Sequence, residues 1–124
     1  MTPAASIDVP VWLRDHYTLV DAGRIDDYRA DFADDVELQF GHAPAVQGVG
    51  PVAERLAEGH RRHAMSHTFE HVWQSGETTI VEFTVEYRYP DGRRETTPAV
   101  TIIDRRDGRI TSLRIYLDRL RGTE

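Results

Sequence analysis

Histidines and carboxylates are the side chains of this sequence whose types and spacing could support chemistry. Four histidines fall close together, at His60, His63, His67 and His71, and such a cluster invites a metal-binding interpretation. His67 and His71 lie in a predicted strand, where four residues span roughly 13 Å, whereas zinc needs its nitrogen ligands within about 2.1 Å of one centre. His60 and His63 share a helical face, but no carboxylate follows them at a ligand-like spacing. We therefore expect no metal site.

His16 is a further candidate because it lies on the apolar side of a predicted helix. The apolar residues of that helix recur at helical spacing: Val9, Trp12, Leu13, Tyr17 and Val20. His16 and Tyr17 are therefore expected among aliphatic groups on the buried side. A histidine there is either a hydrogen-bonded core residue or a functional group, and the spacing leaves both interpretations open.

Composition and missing motifs exclude several classes of protein. The net charge is −6 at pH 7, which argues against a nucleic-acid or anionic-membrane surface. The absence of cysteine excludes disulfides and thiol catalysis and is consistent with a cytoplasmic protein. No apolar run is long enough for a membrane span, and no nucleophile elbow or HExxH motif occurs. The glycine-rich residues 48–53 do not close a βαβ unit, so we expect no dinucleotide and no other cofactor.

The hydrophobic pattern predicts a single α+β domain over residues 9–120, preceded by an arm at residues 1–8. Asp8 is expected to cap a first helix that ends at Gly23, and a short second helix follows near residues 25–30. A strand precedes a third helix that begins at Gly50. Four strands, at residues 66–73, 78–89, 95–104 and 109–117, complete the order ααβαββββ. Short turns between them favour antiparallel neighbours, so the prediction is a two-layer fold with helices on one face.

The last hairpin carries the most specific signals of the chain. Asp107 and Gly108 separate two β-rich runs, which is a strong hairpin signal. With Phe40-Gly-His-Ala-Pro44 and the closing Arg-x-Tyr-x-Asp118, the order of elements resembles the SnoaL-like branch of the nuclear transport factor 2-like superfamily. The resemblance covers residues 9–118 and implies a cone, in which a curved sheet wraps around helices and a deep apolar pocket, usually in a homodimer. Members include polyketide cyclases, ketosteroid isomerases, limonene-epoxide-hydrolase-like enzymes and non-catalytic binders.

The catalytic residues of these subfamilies are not retained at the matching positions. Counted from Gly108, the aspartate of the cyclases and epoxide hydrolases falls at Ile115. The arginine and a second aspartate of the hydrolases fall at Glu82 and Thr84, and the oxyanion tyrosine of the isomerases falls at His16. None of the three mechanisms therefore transfers residue for residue.

The same register, carried through the turn at Gly92, implies which side chains face the pocket. It turns inward a polar set on the strand at residues 78–89 and Thr101 on the next strand; the polar set is Glu82, Thr84 and Glu86. Burial alone would instead turn inward the apolar alternate set: Val81, Phe83, Val85 and Tyr87. The two views agree if the outer face is a dimer interface that contains Phe83, Val85, Tyr87 and Tyr116.

The resemblance implies cofactor-free proton transfer beside a carbonyl group, of the isomerase, cyclase or lyase type. Glu82 would be the general base, His16 the partner acid or oxyanion donor, and Thr101 would orient the carbonyl. The alternative for Glu82 is a salt bridge with an arginine such as Arg88 or Arg114. The ligand-binding wall would comprise Trp12, Tyr17, Phe40, Leu56, Thr84, Leu113, Ile115 and Leu117.

The expected partner is a small apolar ligand such as a polyketide, a terpenoid or a steroid-like molecule. A second copy of the chain is the other expected partner, and no nucleic acid or membrane partner is expected. The alternative function is a non-catalytic module of the same fold, which binds an apolar ligand or dimerises.

Overall fold

The structure is a computed structural model that describes residues 8–118, and within this range the chain has the predicted α+β fold. Its helices are α1 (Val11–Asp21), α2 (Ile25–Tyr28) and α3 (Val49–Arg62), and one 3-10 turn, Arg29–Asp31, follows α2. Its strands are β1 (Phe32–Phe40), β2 (Val46–Gln47), β3 (Ala64–Ser75), β4 (Thr78–Arg88), β5 (Arg94–Arg106) and β6 (Arg109–Leu117). The predicted arm lies outside the described residues apart from Asp8.

The strands form one curved sheet in the order β2-β1-β6-β5-β4-β3. Its last four strands in the chain are antiparallel neighbours joined by short turns, as the sequence predicts. β1 instead pairs parallel to β6, with Phe40 opposite Ile115. No tight turn joins these two strands, so nothing local fixes their relative direction. The sheet is therefore mixed rather than wholly antiparallel.

The first helix begins later than predicted. Pro10 occupies the cap position, and its carbonyl oxygen accepts hydrogen bonds from the backbone N–H groups of Leu13 and Arg14, each at 3.1 Å. No side chain caps this helix, so the predicted role of Asp8 is wrong. The helix ends where predicted, because Gly23 adopts a left-handed φ of 70° that a continuing helix cannot contain.

The alternation of β4 decides which face of the sheet is the interior. Val81, Phe83, Val85 and Tyr87 are buried, and the residues between them are not. In the pairing of β4 with β5, Val81 lies opposite Thr101 and Phe83 opposite Ala99, so these residues share the inner face. The register predicted through Gly92 is wrong by one residue, and a one-residue slip moves every side chain of a strand to the other face.

The helices lie against this inner face. α1 packs against β3, and α3 packs against β1 and β3. The core between the layers includes Leu13 of α1, Val52 of α3 and Phe83 of β4, each almost wholly buried. None of the helices within residues 8–118 has the length and apolarity needed to cross a membrane.

Candidate functional site

A cavity of about 540 Å³ lies between the helices and the inner face of the sheet. Six residues of the predicted wall line it: Tyr17, Phe40, Leu56, Leu113, Ile115 and Leu117. The last three of these lie on β6. Their inward orientation follows from the pairing of Ile115 with Thr101 and of Leu117 with Ala99. A cavity of this size with mostly apolar walls suits a small organic ligand.

Trp12 does not line this cavity, so its place in the predicted wall is wrong. The guanidinium of Arg105 lies over the indole ring of Trp12, 3.9 Å from its centroid, beside a separate surface pocket of about 230 Å³. Asp15 and Leu19 of the same helix also line that pocket. At about 100° per residue, Trp12, Asp15 and Leu19 fall within about 60° of one another, whereas Tyr17 lies about 140° from Trp12, so these three positions face away from Tyr17.

Glu82 and Thr84 lie on the outer face, so their predicted places in the pocket are wrong. The Nδ1–H group of His71 donates a hydrogen bond of 2.6 Å to Glu82, and the two side chains are 65% and 41% exposed. Thr84 donates its hydroxyl hydrogen to Glu70 at 3.0 Å. The alternative prediction, in which Glu82 is ion-paired, agrees with the structure better than a general base in the pocket does. The partner of Glu82 is a histidine, however, rather than Arg88 or Arg114.

The structure also changes which of the residues predicted for an outer-face dimer interface lie on that face. Phe83, Val85 and Tyr87 are interior residues, whereas Tyr116 lies on the outer face and is 43% exposed. The homodimer itself stays a prediction.

Thr101 and His16 do line the cavity, as predicted. His16 is only 2% exposed, and its Nδ1–H group donates to Asp31 at 2.8 Å. The rings of Tyr17, Tyr28 and Phe32 meet the imidazole edge-on. With its Nδ1 proton held by Asp31, a neutral His16 presents an acceptor rather than the donor that the resemblance implies.

The structure brings together an imidazole and a carboxylate that no sequence motif connects. The Nδ1–H group of His67 on β3 donates to Oδ1 of Asp21, the last residue of α1, at 2.6 Å. The backbone N–H group of His67 donates to Oδ2 of the same carboxylate at 2.9 Å. Both carboxylate oxygens are therefore held, and His67 lines the cavity. The two residues are 46 positions apart, so no motif spacing could have revealed them.

A bulge in β3 explains why His67 and His71 differ in environment. The pairing with β4 shifts between Phe69 and His71, so that Phe69 lies opposite Phe83 and His71 opposite Glu82. The extra residue turns His71 to the outer face, whereas regular alternation would have kept both histidines on one face.

Two buried tyrosines complete the polar part of the cavity. The hydroxyl of Tyr28 lies 2.8 Å from Nε2 of His60. Burial raises the pKa of Tyr28 and, more strongly than the nearby Thr101 hydroxyl lowers it, the pKa of Tyr17. Burial lowers the pKa of His60, although the nearby Asp21 carboxylate opposes this effect. At neutral pH both phenols are therefore protonated and His60 is a neutral imidazole.

The histidine cluster considered as a metal site is divided between the two faces of the sheet. His60, His63 and His67 line the cavity, and His71 lies outside. Among residues 8–118, no three His, Asp or Glu side chains are arranged to hold a metal ion.

Comparison with known proteins places the chain in a family. The profile of the SnoaL-like domain family matches residues 13–113. The chain belongs to this family. The predicted SnoaL-like membership is thus confirmed. No curated protein matches the chain.

Solved structures with the same fold share little sequence with this SnoaL-like chain. An NTF2-like protein of unknown function from Burkholderia pseudomallei has a TM-score of 0.78 and 18% identity, covering 86% of this chain and 88% of its own. An LEH-like epoxide hydrolase from M. tuberculosis has a TM-score of 0.76 and 19% identity, covering 86% of this chain and 80% of its own. A protein with a ketosteroid isomerase-like fold from Catenulispora acidiphila, in complex with trimethylamine, has a TM-score of 0.79 and 14% identity, covering 88% of this chain and 86% of its own. At these identities the likeness shows the fold alone.

Proposed function

We propose that this SnoaL-like protein catalyses cofactor-free proton transfer beside a carbonyl group of an apolar ligand, with His67 as the general base. The observation that carries the proposal is that His67 lines the cavity and is held by two hydrogen bonds to Asp21. Isomerisation, cyclisation and elimination all begin with removal of a proton next to a carbonyl group, so the pair supports this set of reactions.

Asp21 prepares His67 for that role. Because the Nδ1 proton is donated to Oδ1, the neutral ring keeps its lone pair on Nε2, the nitrogen that can accept a proton from a ligand. The bond from the backbone of His67 to Oδ2 keeps the carboxylate from rotating. The same carboxylate stabilises the positive charge that forms on the ring when it takes up the proton.

The buried phenols can stabilise the negative charge that develops on the carbonyl oxygen. When Nε2–H of His60 donates to the oxygen of Tyr28, the phenolic proton of Tyr28 stays available for the ligand. Tyr17 lies beside the base, with its ring centroid 4.8 Å from that of His67. Preorganised donors in a site that excludes water contribute strongly to enolate stabilisation.

His67 is a better candidate than His16, although each has an aspartate partner. Asp21 holds His67 by two hydrogen bonds and is 28% exposed. Asp31 makes one hydrogen bond to His16 and is 46% exposed, so solvent screens it more. The side chain of His16 is also less exposed than that of His67, at 2% against 11%.

Exchange of α-protons for deuterium, followed by NMR over a panel of apolar ketones in D₂O, tests the proposal. The variants His67→Asn and Asp21→Asn are expected to lose at least about a hundredfold in exchange rate, since general base catalysis contributes about that much. His71→Asn is the matched control, because His71 also pairs with a carboxylate at 2.6 Å but lies on the outer face.

Equal loss of exchange in the His71→Asn control would contradict the assignment of the base, as would normal exchange in His67→Asn. If the protein binds panel ketones but exchanges none of their protons, the alternative of a non-catalytic binding module is supported instead.

A further inference from the structure

An edge of α3 at the cavity carries positive charge without a matching carboxylate. Arg55 and Arg62 both line the cavity, and they are two turns apart on the same edge of the helix. Among residues 8–118, neither guanidinium forms an ion pair, whereas the neighbouring Arg61 pairs with Glu54 at 3.2 Å. Of the carboxylates in the described range, only Asp118 lines the cavity. This local excess of positive charge contrasts with the net charge of −6 of the whole chain.

Gly59 lies between the two arginines on this edge and also lines the cavity. A glycine within a helix costs stability relative to alanine, because it loses more backbone freedom on folding. A Cβ atom built on Gly59 would meet no atom within 4 Å, and its φ is not in the left-handed region. Neither packing nor backbone geometry therefore requires a glycine here. The open space beside it is available to a ligand.

The position of Arg55 adds a second argument. Its guanidinium lies over the ring of Phe40, 5.3 Å from the ring centroid, and the side chain is partly buried. The ring contact holds the planar group in place but leaves its N–H donors without a carboxylate partner within the described residues 8–118. A guanidinium held in this way is suited to a bidentate interaction with an oxyanion.

We propose that Arg55, Gly59 and Arg62 form a binding site for the anionic oxygen head group of an amphipathic ligand whose apolar part fills the cavity. The inference rests on the proposed function, since it names the class of ligand for the same cavity. Carboxylates and phosphate monoesters share the required chemistry. The apolar part would lie along Phe40, Leu113 and Ile115, which bring it toward the polar residues of the site.

Displacement of the neutral fluorophore N-phenyl-1-naphthylamine by ten-carbon probes tests this inference. Decanoate and decyl phosphate carry an oxyanion, decanol is neutral, and all three have the same tail. The wild type is expected to bind an anionic probe at least about tenfold more tightly than decanol. Arg55→Gln and Arg62→Gln should each reduce this preference, and the double variant should abolish it. Arg61→Gln, the matched control, should leave it unchanged.

Gly59→Ala gives a second measurement that does not depend on charge. The variant should unfold at a higher urea concentration than the wild type, since alanine favours the helix, and yet bind decanoate more weakly. Equal affinity for decanoate, decyl phosphate and decanol would overturn the inference, and so would an equal loss of preference in Arg61→Gln. A preference for decyl phosphate over decanoate, with the same dependence on the two arginines, supports it and identifies the head group as a phosphate.

The two proposals can fail separately. His67→Asn should keep the preference for anionic probes, because binding at the arginines does not need the base. A wild type that exchanges ketone protons but shows no preference contradicts the head-group site alone. A wild type that prefers the anionic probes but exchanges no ketone protons contradicts only the proposed function.

Discussion

Replacing Phe83 by alanine tests the orientation of β4, on which the composition of the cavity depends. Phe83 is 1% exposed, and its ring centroid lies 4.7 Å from that of Tyr17, 4.9 Å from that of His67 and 5.1 Å from that of Phe69. Burying a phenylalanine side chain stabilises a protein by about 1.5–3 kcal/mol, and contacts between aromatic rings add about 0.5–1.5 kcal/mol per pair.

The loss expected for Phe83→Ala is about 3 kcal/mol, near the lower end of the usual range for phenylalanine truncation in a core. The lower end applies because Phe83 already borders the cavity, so the truncation opens less new void than it would in a filled core. For Glu82→Ala the expected loss is below about 1 kcal/mol, since its ion pair with His71 is largely exposed to solvent.

Equilibrium urea unfolding followed by far-ultraviolet circular dichroism measures both free energies of unfolding. If Phe83→Ala does not fold, Phe83→Leu provides a milder test, with an expected loss of about 1 kcal/mol. A loss for Glu82→Ala as large as that for Phe83→Ala would refute the register of β4. It would then place Glu82 in the interior and remove the basis for choosing His67 as the base.

Two further predictions concern the dependence of stability on pH. Burial lowers the pKa of His60 and of His63 from the ordinary value of 6.5, so the unfolded chain takes up protons first on acidification. The free energy of unfolding should therefore fall as the pH is lowered below 6.5, and urea midpoints that stay constant down to about pH 5 would contradict this. Burial raises the pKa of Tyr87 from 10.0 to about 12, so stability present below pH 10 should be lost as the pH rises toward 12. The loss should be smaller in Tyr87→Phe than in the control Tyr116→Phe, and an equal loss in the two variants would refute the assignment.

The His67–Asp21 pair shows why the candidate site was only partly predictable. His67 and Asp21 each stand in unremarkable local surroundings in the sequence, one on a strand and the other at the end of a helix. Their hydrogen bonds exist because α1 packs against β3. The bulge in β3, which the sequence pattern does not predict, places His71 on the other face of the sheet. The chemistry thus depends on a helix-to-sheet contact that no local spacing encodes.

The sequence by itself determined the order of the main elements, the α+β class and the residues of β6 that face the cavity. These follow from local rules: helical spacing in α1, period-two alternation in β6, and the turn at Asp107 and Gly108. Only the tertiary structure decided the face to which β4 turns its side chains, because that choice depends on a single residue of register in the loop before β5. Burial favoured Phe83 over Glu82 at that point, since enclosing an aromatic ring is favourable and enclosing an unpaired carboxylate is costly.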